Sequence, residues 1–132
     1  MSKENVEAYR EGIAAINRGD LEAALRLTDP EVTFEPLRAP VEGAYKGHDG
    51  IRAWFADTTE SFEAFRIDHS EIRDLGDDRV LAIGALHVRG KGSGIETDVP
   101  SAAIVTFREG RMAALKDYAE REKALEAAGL SE

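Results

Sequence analysis

The chain has 132 residues and a mass of 14.4 kDa, which suits one domain around one hydrophobic core. It contains no cysteine, so disulfides, thiolate metal sites and a cysteine nucleophile are excluded. The formal net charge of −9 disfavours nucleic acid as a partner, and no run of about 20 apolar residues or signal peptide is visible. We therefore expect a cytoplasmic protein that binds neither nucleic acid nor membrane.

The first half of the chain predicts three helices. Apolar residues over 6–16 recur at spacings of three and four, and Ser2 can cap the helix that they indicate. Asp20 can cap a short second helix, and a brief strand is predicted at 32–35. Residues 51–62 then recur with helical period and predict a third helix.

In the second half of the chain the apolar period changes to two, which indicates strands. The predicted strands cover 65–74, 80–89, 95–108 and 111–118. A tight Glu109-Gly110 turn joins the last two, and a short helix is predicted at 120–128. This order predicts an α+β fold, in which a curved antiparallel or mixed sheet forms a cone that the N-terminal helices close. Such a cone encloses an apolar pocket.

Three segments carry a resemblance to a known family: NRGDLEAALRLTDPEVTFEP, YKGHDGIRAWF and FREGRMAALKDYAER. Together they make the chain resemble the nuclear transport factor 2-like superfamily, and in particular its SnoaL-like branch. The resemblance implies one domain over 1–132, with the cone fold also found in ketosteroid isomerase, polyketide cyclases, scytalone dehydratase and limonene-epoxide hydrolase. Because that fold supports several reactions, it assigns none by itself.

The resemblance also implies a homodimer formed through the outer face of the sheet. In the last strand, simple alternation places Ala113, Leu115 and Asp117 on the pocket side. The same alternation places Met112 and Ala114 on the other side, which is the predicted dimer surface.

Asp117 is the first candidate catalytic residue. The KDYAE segment resembles the end of the last strand in limonene-epoxide hydrolase, and the resemblance aligns Asp117 with a catalytic acid. Counting back through the hairpin places the hydrolase's arginine and second acid at Ala85 and His87. These replacements argue against epoxide hydrolysis, but His87 and Asp117 are predicted to face the same pocket, where histidine could act as a base that the acid orients.

Glu35 is the third candidate catalytic residue. Its position before Pro36 resembles the place of the general base in ketosteroid isomerase, and an apolar wall would raise its pKa. The isomerase's oxyanion tyrosine would align near Gly12, and Tyr9 lies almost one turn away.

Four residues are predicted to contact a ligand. They are Trp54, Tyr45, Leu115 and Tyr9. His48 is interpreted as a helix-start residue and His69 as part of a charged, solvated strand. The three histidines lack the short spacing of a metal site, so no metal is expected.

Three functions remain open at this stage. The first is an enzyme that performs acid-base chemistry on a small hydrophobic molecule without a cofactor, such as an isomerase, cyclase, dehydratase or hydratase. The second is a non-catalytic module that binds an apolar ligand. The third is an interaction protein whose pocket is filled by its own side chains, with Leu81, Ile83 and Leu115 as the residues that would fill it.

Overall fold

The computed structural model describes residues 2–37 and 44–130, which form four helices and six strands. In chain order they are α1 (Ser2–Asn17), α2 (Leu21–Arg26), β1 (Thr28–Glu35), β2 (Tyr45–Lys46), α3 (Gly47–Ser61), β3 (Phe62–Asp74), β4 (Arg79–Gly90), β5 (Glu96–Arg108), β6 (Arg111–Tyr118) and α4 (Arg121–Ala127). The predicted helices and strands are present, and Asp20 caps α2 by accepting a hydrogen bond from the Ala23 N–H at 3.1 Å. Phe62 begins a strand instead of ending a helix.

The strands form one open, mixed sheet in the order β2-β1-β6-β5-β4-β3. All neighbours are antiparallel except β1 and β6, which are parallel. The β5–β6 hairpin turns through Glu109 and Gly110, whose φ angles are 53° and 81°. Positive φ at both central residues of a two-residue loop matches the right-handed twist of the strands. The predicted α+β class and curved sheet are therefore confirmed.

A β-bulge bends the sheet where β3 crosses β4. The register shifts between Asp68 and Glu71, next to Gly84 on β4. A Cβ atom on Gly84 would lie 1.9 Å from the carbonyl oxygen of Asp68, so only glycine allows the two strands to approach this closely. This bend curls the sheet around one of its faces, which we call the inner face.

The inner face is covered by helices α1 to α3. Tyr9 of α1, which is 1% exposed, packs in a buried cluster with residues of β4, β5 and β6. These partners are Val80, Ala82, Ala103, Val105, Phe107 and Met112. The end of α1 is fixed to β3 because the Asn17 side chain accepts a hydrogen bond from the N–H of Ile67 and donates one to its carbonyl. The helix that carries Tyr9 is thus held firmly over the sheet.

The opposite, outer face is partly covered by α4. Ala124 and Leu125 of this helix pack with Leu81, Ile83 and Ala102. The C-terminal helix thus lies on the face opposite to the N-terminal helices. Its apolar residues match an apolar patch on the outer side of β4 and β5, and burying both removes that surface from water. Leu81 and Ile83 consequently fill the outer core and leave the inner side open.

A second bulge changes the expected faces of β6. Phe107 pairs with Met112, whereas Thr106 pairs with Ala114, so Ala113 is an extra residue in the strand. Met112 therefore faces inwards together with Leu115, and the sequence-based placement of Met112 on the outer face is wrong. Ala114 keeps its predicted outer position. The homodimer itself stays a prediction.

Across residues 2–37 and 44–130, no helix combines the length and the apolar character needed to cross a bilayer.

Candidate functional site

A cavity of about 600 Å³ lies between the inner face of the sheet and helices α1 and α3. Its wall is rich in aromatic side chains. These are Phe34, Tyr45, Trp54, Phe62 and Phe65. Trp54 packs edge-on against Phe34 and Phe65, with ring centroids 5.3 and 6.0 Å away. The volume and the apolar wall are typical of sites for small organic molecules.

Three polar side chains on α1, β3 and β5 form a hydrogen-bonded chain along the cavity. The Tyr9 hydroxyl lies 2.6 Å from Nδ1 of His69, and Nε2 of the same ring lies 3.0 Å from the Ser101 hydroxyl. All three residues line the cavity. Since a neutral imidazole has one donor and one acceptor nitrogen, one hydroxyl donates to the ring and the other accepts from it.

Burial keeps the three hydrogen-bonded side chains uncharged near neutral pH. Burial lowers the pKa of His69 to about 4, against a smaller opposing effect of Asp68. Burial also raises the pKa of Tyr9 far above its usual value, and the nearby Asp117 carboxylate adds to that shift. Neutral His69 and protonated Tyr9 can therefore accept and donate hydrogen bonds without the cost of a buried charge.

Asp117 of β6 contributes an acid to the same cavity. Burial raises the pKa of Asp117 to about 7, and a hydrogen bond from the Leu37 backbone N–H opposes part of that shift. The carboxyl group can therefore exchange a proton near neutral pH, which is the property that a general acid or base requires. Its pairing with Ala103 in the β5–β6 ladder sets this inward orientation.

Several predicted residues do line the cavity. Besides Asp117, they are Tyr9, Tyr45, Trp54 and Leu115. Tyr45 also donates a hydrogen bond from its hydroxyl to Asp57 at 3.0 Å, which ties β2 to α3 at the cavity. Contact of these residues with a ligand stays a prediction.

The prediction that His87 and Asp117 face the same pocket is wrong, because the two side chains lie on opposite faces of the sheet. The inward positions of β4 are those of Val80, Ala82, Leu86 and Val88. Strand alternation turns the odd-numbered His87 to the outer face. There its Nδ1 lies 2.5 Å from Asp98 and its Nε2 lies 3.4 Å from Asp68.

Glu35 also lies outside the cavity. Its neighbour Phe34 is 7% exposed and lines the cavity, so alternation along β1 turns Glu35 to the opposite side, where it is exposed. Its predicted role as a base in an apolar pocket therefore lacks the required surroundings.

Sequence reasoning missed His69 and Ser101. His69 follows Phe65 and Ile67 at a spacing of two, and all three line the cavity. Ser101 likewise alternates with Val99 and Ala103. This periodicity was available in the sequence, but the acidic neighbours of His69 suggested a solvated strand. His48 acts at the start of α3, where its Nε2 lies 2.9 Å from the Thr28 carbonyl oxygen.

Within the described ranges, no group of three or more histidine and acidic side chains is arranged to hold a metal ion.

The sequence profile of the SnoaL-like domain matches residues 6–115 of this chain. A comparison with curated proteins finds no match. Among solved structures, Bal32a from a soil-derived mobile gene cassette is 25% identical, with 89% of each chain covered and a TM-score of 0.79. TerC, crystallised with polyporic acid, is 22% identical, with 96% of this chain and 98% of that chain covered and a TM-score of 0.78.

A third similar structure is a candidate SnoaL-like polyketide cyclase from Jannaschia sp. CCS1. It is 17% identical, with 99% of this chain and 95% of that chain covered and a TM-score of 0.77. The last two likenesses concern the fold alone. Since the profile spans most of the sequence, the chain belongs to the SnoaL-like family.

Proposed function

We propose that this protein binds a small hydrophobic molecule in the inner cavity and performs acid-base chemistry on it, of the kind used in isomerisation, cyclisation, dehydration or hydration. The observation that carries this proposal is that Asp117 and the Tyr9–His69–Ser101 chain share one apolar cavity of about 600 Å³. A titrating acid beside neutral hydrogen-bond donors is the arrangement that proton transfer next to a carbonyl requires.

Asp117 is the proposed base. In its ionised form it removes a proton from the carbon next to a substrate carbonyl, and the electron pair moves to the carbonyl oxygen as an enolate forms. The protonated Asp117 then returns the proton to the same or another carbon. Because burial raises its pKa to about 7, it is a stronger base than a solvated aspartate and is still substantially ionised near neutral pH.

Tyr9 is the proposed hydrogen-bond donor to the developing enolate oxygen. If the Ser101 hydroxyl donates to Nε2 of His69, then Nδ1–H donates to the Tyr9 oxygen. This tautomer leaves the Tyr9 proton free to point at a ligand. His69 and Ser101 act as positioning residues, since their hydrogen bonds orient the tyrosine.

The proposal can be tested with β-tetralone, an apolar bicyclic ketone, dissolved in heavy water. Deuterium incorporation next to its carbonyl, followed by proton NMR, reports proton abstraction without knowledge of the natural substrate. We expect the wild-type protein to accelerate exchange above the buffer rate. The Asp117→Asn variant should reduce that acceleration at least about tenfold, and the Tyr9→Phe variant should reduce it severalfold.

Asp98→Asn is the matched control, because it neutralises an aspartate on the outer face that does not line the cavity. It should exchange deuterium at the wild-type rate. Exchange at the buffer rate in wild type, or equal rates in wild type and Asp117→Asn, would contradict the catalytic proposal. Binding of the ketone without exchange would instead support the alternative, a non-catalytic module for apolar ligands.

A further inference from the structure

Acidic side chains outnumber basic ones among the described titratable residues that line the cavity. Three carboxylic acids line it, namely Asp57, Glu60 and Asp117. Among the described lining residues there is no lysine or arginine, and the lowered pKa keeps His69 neutral. A ligand with a carboxylate would meet like charge and find no described cation to pair with, which opposes its binding.

Helix α3 adds negative potential where Asp57 and Glu60 are located. Both residues are exposed at the edge of the cavity and belong to the C-terminal half of the helix, and its last residue, Ser61, also lines the cavity. The last turn of α3 contains no basic residue that would balance the negative end of the helix dipole. The carboxylates and the helix terminus therefore attract positive charge to the same part of the cavity.

Aromatic side chains stand beside these carboxylates. Trp54 precedes Asp57 by one helical turn, and the Tyr45 hydroxyl donates a hydrogen bond to Asp57. Aromatic rings attract cations through their electron-rich faces and also bury apolar surface. Carboxylates next to aromatic rings suit an alkylammonium group attached to an apolar body.

We infer that the cavity selects an apolar molecule that carries a cationic nitrogen, with the nitrogen near Asp57 and Glu60 and the apolar body extending towards Tyr9 and Asp117. This inference rests on the proposed binding function and adds the charge of the ligand to it. In this orientation the cationic group lies against α3, and the apolar body lies against the hydrogen-bonded chain of α1, β3 and β5. The net charge of −9 also attracts cations and repels anions over longer distances.

A series of three adamantane derivatives tests the inference, because its members share one rigid apolar body and differ in charge. They are adamantylmethylammonium, adamantylmethanol and adamantanecarboxylate. Trp54 is the only tryptophan and lines the cavity, so its fluorescence reports binding of these non-aromatic probes. At neutral pH we expect the amine to bind about fivefold more tightly than the alcohol, and the acid about fivefold more weakly.

The double variant Asp57→Asn with Glu60→Gln should reduce the preference for the amine over the alcohol to about twofold, while the affinity for the alcohol changes little. The control is Glu122→Gln with Glu126→Gln, which removes the same charge from α4, outside the cavity. It should keep the wild-type preference, because it changes only the long-range potential.

Equal affinities for the amine and the alcohol, tighter binding of the acid, or a preference that survives in the Asp57 and Glu60 variant would each overturn the inference. Binding of the alcohol would still support the cavity as a binding site in those cases. Failure of all three probes to bind would overturn the inference as well. β-Tetralone exchange that persists in such a protein would show that the proposed function stands without it.

Discussion

The inner and outer faces of the sheet each hold a histidine, but the pKa values of the two histidines shift in opposite directions. On the inner face, His69 lies between two hydroxyl groups, and burial lowers its pKa to about 4. On the outer face, His87 lies between Asp98 and Asp68, and its hydrogen bonds to these carboxylates raise its pKa. The comparison teaches that the face of the strand, more than nearby sequence charge, decides whether the pKa of a histidine here is lowered or raised.

The same contrast separates the acids. Asp117 lies in the inner cavity, and its pKa is raised to about 7 because burial disfavours the ionised form. Asp98 on the outer face is exposed, and its carboxylate lies 2.5 Å from Nδ1 of His87. The inner cavity thus holds a buried acid that can exchange a proton near neutral pH, whereas the outer-face acid forms an exposed hydrogen bond with His87. Surface pairs of this kind contribute little stability.

The largest expected effect comes from Asp117→Asn. Because the folded-state pKa lies above the unfolded value, the folded protein binds the additional proton, and wild-type stability falls as pH rises from about 4 to about 8. Over that range the free energy of unfolding of the variant should improve by about 4 kcal/mol relative to wild type. Urea denaturation at several pH values measures the difference. A difference in the free energy of unfolding that does not change with pH would contradict a raised pKa for Asp117 in the cavity.

His69→Gln should give the opposite dependence. The folded-state pKa lies below the unfolded value, so wild-type stability from this residue is present above about pH 6.5 and is lost as pH falls towards about 4. Over that range the variant should gain about 3 kcal/mol relative to wild type. The same denaturation series measures it, and an equal loss of stability in both proteins on acidification would contradict a buried, neutral His69.

The smallest effect is expected for His87→Gln. Its raised pKa means that the stabilisation is fully present below about pH 6.5 and is lost as pH rises through the folded-state value. The variant should therefore differ slightly from wild type at acidic pH and match it at alkaline pH. Added salt should weaken the acidic difference because the pair is exposed. A difference that grows with pH would show that His87 is not held between carboxylates.

Much of the fold could be predicted from the sequence. The change from helical period to a period of two located the strands, and the Glu109-Gly110 pair identified the last hairpin, since both residues adopt the positive φ that its turn requires. Alternation from Leu115 also placed Asp117 on the inner face. These features depend on neighbours a few residues apart, which is the range over which sequence patterns act.

Residues that meet from distant parts of the chain were harder to predict. Tyr9 and His69 are 60 positions apart, and His69 and Ser101 are 32 apart. The bulge at Ala113 reversed the predicted face of Met112, because one additional residue shifts strand alternation.

The sequence by itself therefore determined the elements other than the two-residue strand β2, their order and the inward direction of Asp117, because local periodicity and turn geometry encode them. Only the tertiary structure decided which histidine shares the cavity with that acid. Strand pairing and the bend at Gly84 set the placement of side chains from separate strands, and burial then sets their charge.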